Sequence, residues 1–131
     1  MSKDAVGTAM RAGFVGLVVA IMAGVSVGTA QPVKLAGIGV LRCHVFNQQI
    51  AEQPEAEDRY FLWAQGFMSG VLLRAPPGQD DALDLVPPDM PLDEQRQLIR
   101  DYCARNPLRY YFHAVAALYA RLGGMSLNFL L

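Results

Sequence analysis

Apolar positions along this chain follow two patterns. Residues 13–25 form one continuous apolar stretch without a charge. Beyond residue 40, apolar side chains recur at steps of three and four, the period of an amphipathic helix. That second pattern predicts an all-α fold, a small bundle of about four helices. The first covers residues 41–51 and stops before Pro54. The second covers residues 55–74. It opens on Glu55, Glu57 and Asp58, which suit the positive end of a helix dipole. Trp63, Phe67 and Val71 form its apolar stripe, with Tyr60 and Ala64 beside them. The third starts near Pro91, with Asp93 and Glu94 in its first turn and Arg96, Arg100 and Arg105 further along. Leu92, Ile99, Tyr102 and Cys103 make its inner face. In the fourth, Asn106 serves as the cap and Pro107 as the first residue. It carries Leu108, Tyr111, Phe112, Val115, Leu118, Tyr119 and Leu122 and ends at Gly123 and Gly124.

The segments between follow from their breakers. Residues 31–40 read as an extended arm or short strand. Residues 75–91 form a proline-rich loop with five prolines and with Asp80, Asp81 and Asp84. Leu83, Leu85 and Val86 are expected to pin it to the core, since long loops are rarely left free unless functional. Residues 123–131 are an apolar tail that must pack or bind. Gly66 and Gly70 sit inside the second helix, where each glycine costs about 1 kcal/mol against alanine. The expected return is close approach of a helix or an aromatic ring, so Trp63, Gly66 and Gly70 are assigned to a structural helix contact.

The continuous stretch changes the picture of where the chain works. Lys3 and Arg11 precede it, and Gly28, Thr29 and Ala30 follow as a small-residue cleavage site. This is the layout of a secretory signal peptide over residues 1–30, leaving residues 31–131 as a single helical domain. The competing reading is an uncleaved anchor, because residues 12–30 approach the length of a spanning helix. Only in that reading would the protein meet a membrane. The formal net charge of −1 lacks the basic face that nucleic acid requires. Cys43 and Cys103 are the two cysteines of the chain, and in an exported protein they are expected to pair. Closing a loop of that length stabilises a fold by roughly 4 kcal/mol.

Candidate chemistry is sparse. Gly66-Phe67-Met68-Ser69-Gly70 has the wrong spacing for a nucleophile elbow and lies within a helical pattern. Cys43, His44, Cys103 and His113 lack zinc-ligand spacing, and a disulfide would consume both thiols. Asp80, Asp81 and Asp84 lack the ligand order of a calcium loop. Two cysteines on separate helices suit a structural bond better than redox catalysis. No metal, cofactor or enzymatic role is therefore expected. Tyr110, Tyr111, Phe112, Tyr119 and Phe129 are left, either as part of an aromatic core or as an exposed patch for a partner.

One constellation resembles a known family. A cysteine on the first helix is followed by Trp63, Gly66 and Gly70, then by Tyr102, Cys103, Asn106 and Pro107, and by Ala114 and Val115 on the closing helix. This resembles the HdeA/HdeB periplasmic acid-stress chaperones, which are small helical proteins with one disulfide. The chain departs from them in its long proline-rich loop and in having Lys34 as its one lysine beyond residue 30. The resemblance implies a periplasmic protein that is folded and dimeric at neutral pH. Acid would protonate Glu52, Glu55, Glu57, Asp58, Asp80, Asp81 and Asp84, and the loosened chain would bind unfolded clients. The glycine-bearing helix and the Asn-Pro junction also look like the Tai-type immunity proteins of the periplasm. That likeness implies neutralisation of a secreted toxin instead.

Overall fold

The computed structural model describes residues 34–127. The predicted signal peptide and the end of the tail, with Phe129, lie outside the described residues. A 3-10 turn (Gly37–Val40) leads into four helices: α1 (Cys43–Glu52), α2 (Ala56–Leu73), α3 (Leu92–Arg105) and α4 (Tyr111–Arg121). Among the described residues there is no strand, and the one β feature is an isolated bridge between Arg42 and Tyr110. The bundle is therefore all-α, as the periodicity predicts. The segment before α1 is a tight turn rather than a strand, because Gly37 takes a left-handed backbone (φ 78°).

Cys43 and Cys103 form a disulfide, with their Cα atoms 4.8 Å apart. It ties the first residue of α1 to the last turn of α3. Asn47 reinforces the link by donating from Nδ2 to the Cys103 carbonyl (3.1 Å). This junction explains a correction to the fourth helix. α4 begins at Tyr111, not at Pro107. Asn106 closes α3 instead: its backbone N and its Nδ2 both donate to the Tyr102 carbonyl (2.9 and 2.8 Å). The turn that follows supplies carbonyls to α1, which has no capping side chain at Arg42. Cys43 N donates to the Arg109 carbonyl (2.8 Å) and His44 N to the Pro107 carbonyl (2.9 Å). Unpaired N–H groups at a helix start need acceptors, and here they come from across the chain. Leu108, expected on an inner helix face, sits on this turn and is exposed.

The core lies where the four helices meet. Phe46, Tyr60 and Tyr111 form a triangle of rings with centroids 4.9 to 5.1 Å apart. Ala64, Met68, Ile99, Val115 and Leu118 close around it. Tyr60 keeps a polar outlet by donating to Gln49 Oε1 (2.8 Å). Burial pushes the Tyr111 hydroxyl well above the usual tyrosine range, with the Glu57 charge adding to the effect. On the rim, Arg100 reaches Glu57 (2.6 and 2.8 Å) and Arg96 reaches Asp58 (3.1 Å), so acidic residues of the α2 start are paired with α3.

Gln95 holds the proline-rich loop. It is fully buried, donates from Nε2 to the carbonyls of Leu85 (2.9 Å) and Met90 (3.0 Å), and accepts from Gln65 (3.0 Å). A buried amide with three partners fixes a loop better than apolar contact alone, because each bond would be lost unpaired on release. Leu83 and Leu85 pack against the core. Val86 does not, and stands half in solvent.

Candidate functional site

The distinctive surface of the domain is built on α2. This helix buries Tyr60, Phe61, Ala64 and Met68, and its outward side carries two leucines alongside Asp58, Arg59 and Ser69. Leu62 is 72% exposed and Leu73 is 85% exposed. Gly66 and Gly70 lie between them on the outward side. This outward side is left uncovered among the described residues.

The two glycines do not play the part expected of them. Among the described residues, a Cβ added at Gly66 or Gly70 would meet nothing within 4 Å. The close approach occurs elsewhere, at Gly39 in the 3-10 turn. A Cβ there would run into the six-membered ring of the Trp63 indole, and Gly37 faces Trp63 Nε1. Trp63 is thus a packing residue, but its glycine partners come from the segment before α1. The reason is its stacking: its ring lies parallel on Phe67 (5.2 Å, 14°), which turns it toward that segment.

Beside this face a groove of about 460 Å³ opens at the end of α2. Phe67, Gly70 and Val71 form one wall, Leu35 and Leu127 the other, and Arg74 stands among the lining residues. The open space above Gly70 belongs to this groove. Leu127 is buried, so the described part of the apolar tail packs into the core. Asp80 is the lining residue that joins the parts. Its carboxylate accepts from the Tyr119 hydroxyl (2.8 Å) and from Met125 N (3.2 Å), linking the proline-rich loop, α4 and the tail. Asp80 does this from a left-handed backbone (φ 58°), a conformation that aspartate tolerates better than most residues. Burial, then the bond to Asp80 and its charge, push Tyr119 up to about 12.

Asp81 and Asp84 make local turns, accepting from the backbone N of Gly78 (3.0 Å) and Val86 (2.8 Å). Among the described residues no three His, Cys, Asp or Glu side chains come together as a metal site. No helix among them is long and apolar enough to cross a membrane.

The expected aromatic patch divides. Tyr111, Phe112 and Tyr119 are buried at 1%, 7% and 0% exposure, so they belong to the core and not to an exposed surface. Tyr111 packs on Phe46 and Tyr60, Tyr119 reaches Asp80, and Phe112 lies against Tyr110 and His113. Tyr110 is half-buried, and the Arg42 guanidinium lies 4.0 Å over its ring. His113 stacks on Phe112 at 4.0 Å and accepts from Tyr110 N through Nδ1 (3.1 Å). Burial lowers its pKa from the ordinary histidine value. Sequence reasoning missed Asp80, Gln95 and Arg74. Asp80 and Gln95 act through partners 5 to 45 residues away, and no local pattern marks such a pairing.

Comparison of the chain with protein-family models, with curated proteins and with solved structures finds no match.

Proposed function

We propose that this chain is an exported, non-enzymatic binding protein of the periplasm that holds apolar segments of other proteins, in the manner of an acid-stress chaperone. The observation that carries this reading is Leu62 and Leu73 standing in solvent on the outward side of α2, beside a groove with an apolar lining. An apolar groove flanked by exposed apolar side chains offers a surface to a partner. The disulfide supports export, since such bonds persist in oxidising compartments. It would also keep the chain compact while the rest loosens.

The acid step draws support from two features. Glu57 and Asp58 pair with Arg100 and Arg96 between α2 and α3, so that contact rests partly on opposite charges. His113 is held neutral by its surroundings and must charge in acid. Loosening these contacts would add apolar surface from the core to what α2 already exposes. The test is aggregation of an acid-sensitive periplasmic client at about pH 3, with and without the protein. Protection in acid and none at neutral pH is the expected result. Absence of protection in acid would end the reading.

A second reading rests on the same face being open in the folded domain, which suits a partner that binds at neutral pH. In that reading the protein neutralises a secreted toxin. It predicts one tight complex, insensitive to pH, recoverable from a periplasmic extract, and lost on Leu62→Asp with Leu73→Asp.

A further inference from the structure

The groove at the end of α2 differs in chemistry from the open face beside it. Its walls are the side chains of Phe67, Val71, Leu35 and Leu127, and its floor is widened by Gly70. A glycine in a helix interior gives up stability, and Gly37, Gly39, Gly78, Gly123 and Gly124 are explained by a left-handed backbone or a ring pressed against them. Gly66 and Gly70 have neither reason: their backbone is helical and, among the described residues, nothing lies within 4 Å of the missing Cβ, and of the two it is Gly70 that lines the groove. The space it leaves is suited to an occupant.

Two observations select the occupant. The polar groups lining the groove are few. Asp80, the acid among them, is engaged by the Tyr119 hydroxyl and Met125 N. A peptide would bring a donor and an acceptor with every residue, and burying them unpaired is costly. An alkyl chain brings none. The second observation is Arg74, one helical turn beyond Gly70. It is exposed, and among the described residues its guanidinium makes no hydrogen bond and no ion pair. An unspent cation beside an apolar slot complements an anionic head on an apolar tail.

The geometry points to this groove as a binding site for a single-chain anionic amphiphile, a fatty carboxylate. Its chain lies against Phe67, Val71 and Leu127 and its head meets Arg74. The volume of about 460 Å³ is within the range of small-ligand sites. This goes beyond the protein-binding reading and stands whether or not the domain protects clients in acid.

Trp63, the single tryptophan of the chain, reports on the site because its ring stacks on Phe67. Its emission is followed while laurate is added below its micelle concentration. Saturable one-to-one binding is expected. Shortening the chain to decanoate and then octanoate should weaken it by about fourfold per methylene lost. Gly70→Leu fills the groove and should weaken laurate about tenfold or more. Arg74→Gln should bring laurate down to the affinity of dodecanol without changing dodecanol itself. Circular dichroism melts keep the variants honest, since Gly70→Leu is expected to melt no lower than the wild type.

Several results overturn the proposal. They are no saturation with any chain length, an unchanged affinity in Gly70→Leu, or dodecylammonium binding as tightly as laurate. Binding that emerges only in Phe129→Asp would make the chain's own tail the occupant. Conversion of a dimer to a monomer by Gly70→Leu would make it a second copy.

Discussion

Gly39 and Gly70 make opposite predictions for the same substitution. Gly70→Ala adds a methyl where, among the described residues, nothing lies within 4 Å, inside an 18-residue helix. The gain is the helix propensity of alanine over glycine, about 1 kcal/mol. For a domain of this size that corresponds to a rise in melting temperature of roughly 4–8 °C. Gly39→Ala adds the same methyl into the Trp63 indole. That ring is rigid and held by Phe67 at 5.2 Å, so it cannot swing aside without losing its stack. Overpacking of this kind costs about 1–3 kcal/mol, a fall of roughly 4–24 °C. Thermal and urea unfolding followed by far-ultraviolet circular dichroism measures both. The Trp63 emission should shift in Gly39→Ala and stay unchanged in Gly70→Ala. If Gly70→Ala destabilises the domain as Gly39→Ala does, a close neighbour covers Gly70 and the open groove is wrong. If Gly39→Ala is neutral, the contact with Trp63 is not a constraint on the fold.

Replacing Cys43 and Cys103 together by serine should lower stability by roughly 4 kcal/mol, read from urea unfolding, because the bond closes a loop of 60 residues. A loss under about 1 kcal/mol would mean that α1 and α3 are held by their packing alone. Tyr119 titrates at about 12 in the fold against 10.0 as a free side chain, so the neutral hydroxyl is the form the fold prefers. Its stabilisation is complete below pH 10 and drains as the pH rises toward 12. Tyr119→Phe removes that alkaline limb and costs about 2 kcal/mol at neutral pH through the lost bond to Asp80. An unchanged alkaline unfolding curve would refute it. His113 has the opposite sign: its pKa is lowered, so its contribution is full above 6.5 and falls away as acid charges the ring. His113→Gln keeps a side-chain acceptor for the Tyr110 N–H and does not titrate, so melting temperature should depend less on pH below 6.5. The same slope in both proteins would show that other groups carry it.

The helices, their order and the cysteine pair were legible in the sequence because each depends on near neighbours or on simple counting. Apolar steps of three and four specify a helix wherever they occur, Pro54 and the Pro76–Pro77–Gly78 run end helices locally, and two cysteines admit one internal bond. The start of α4 was not legible. Asn106 and Pro107 carry a genuine start signal, but the carbonyls of Pro107 and Arg109 are taken by the open N–H groups of α1. That competition exists only once the disulfide has brought Cys43 beside Cys103.

The same division holds at the candidate site. Sequence by itself determined that α2 would be apolar and would contain two glycines, since composition and spacing are properties of the chain. Tertiary structure alone decided which glycine meets the indole, because that depends on where the segment before α1 crosses Trp63. It also decided which aromatic residues are buried and that Asp80 would join loop, helix and tail. A residue's type limits what it can bond. What it does bond is set by which distant segments the packing of the core brings within about 3 Å.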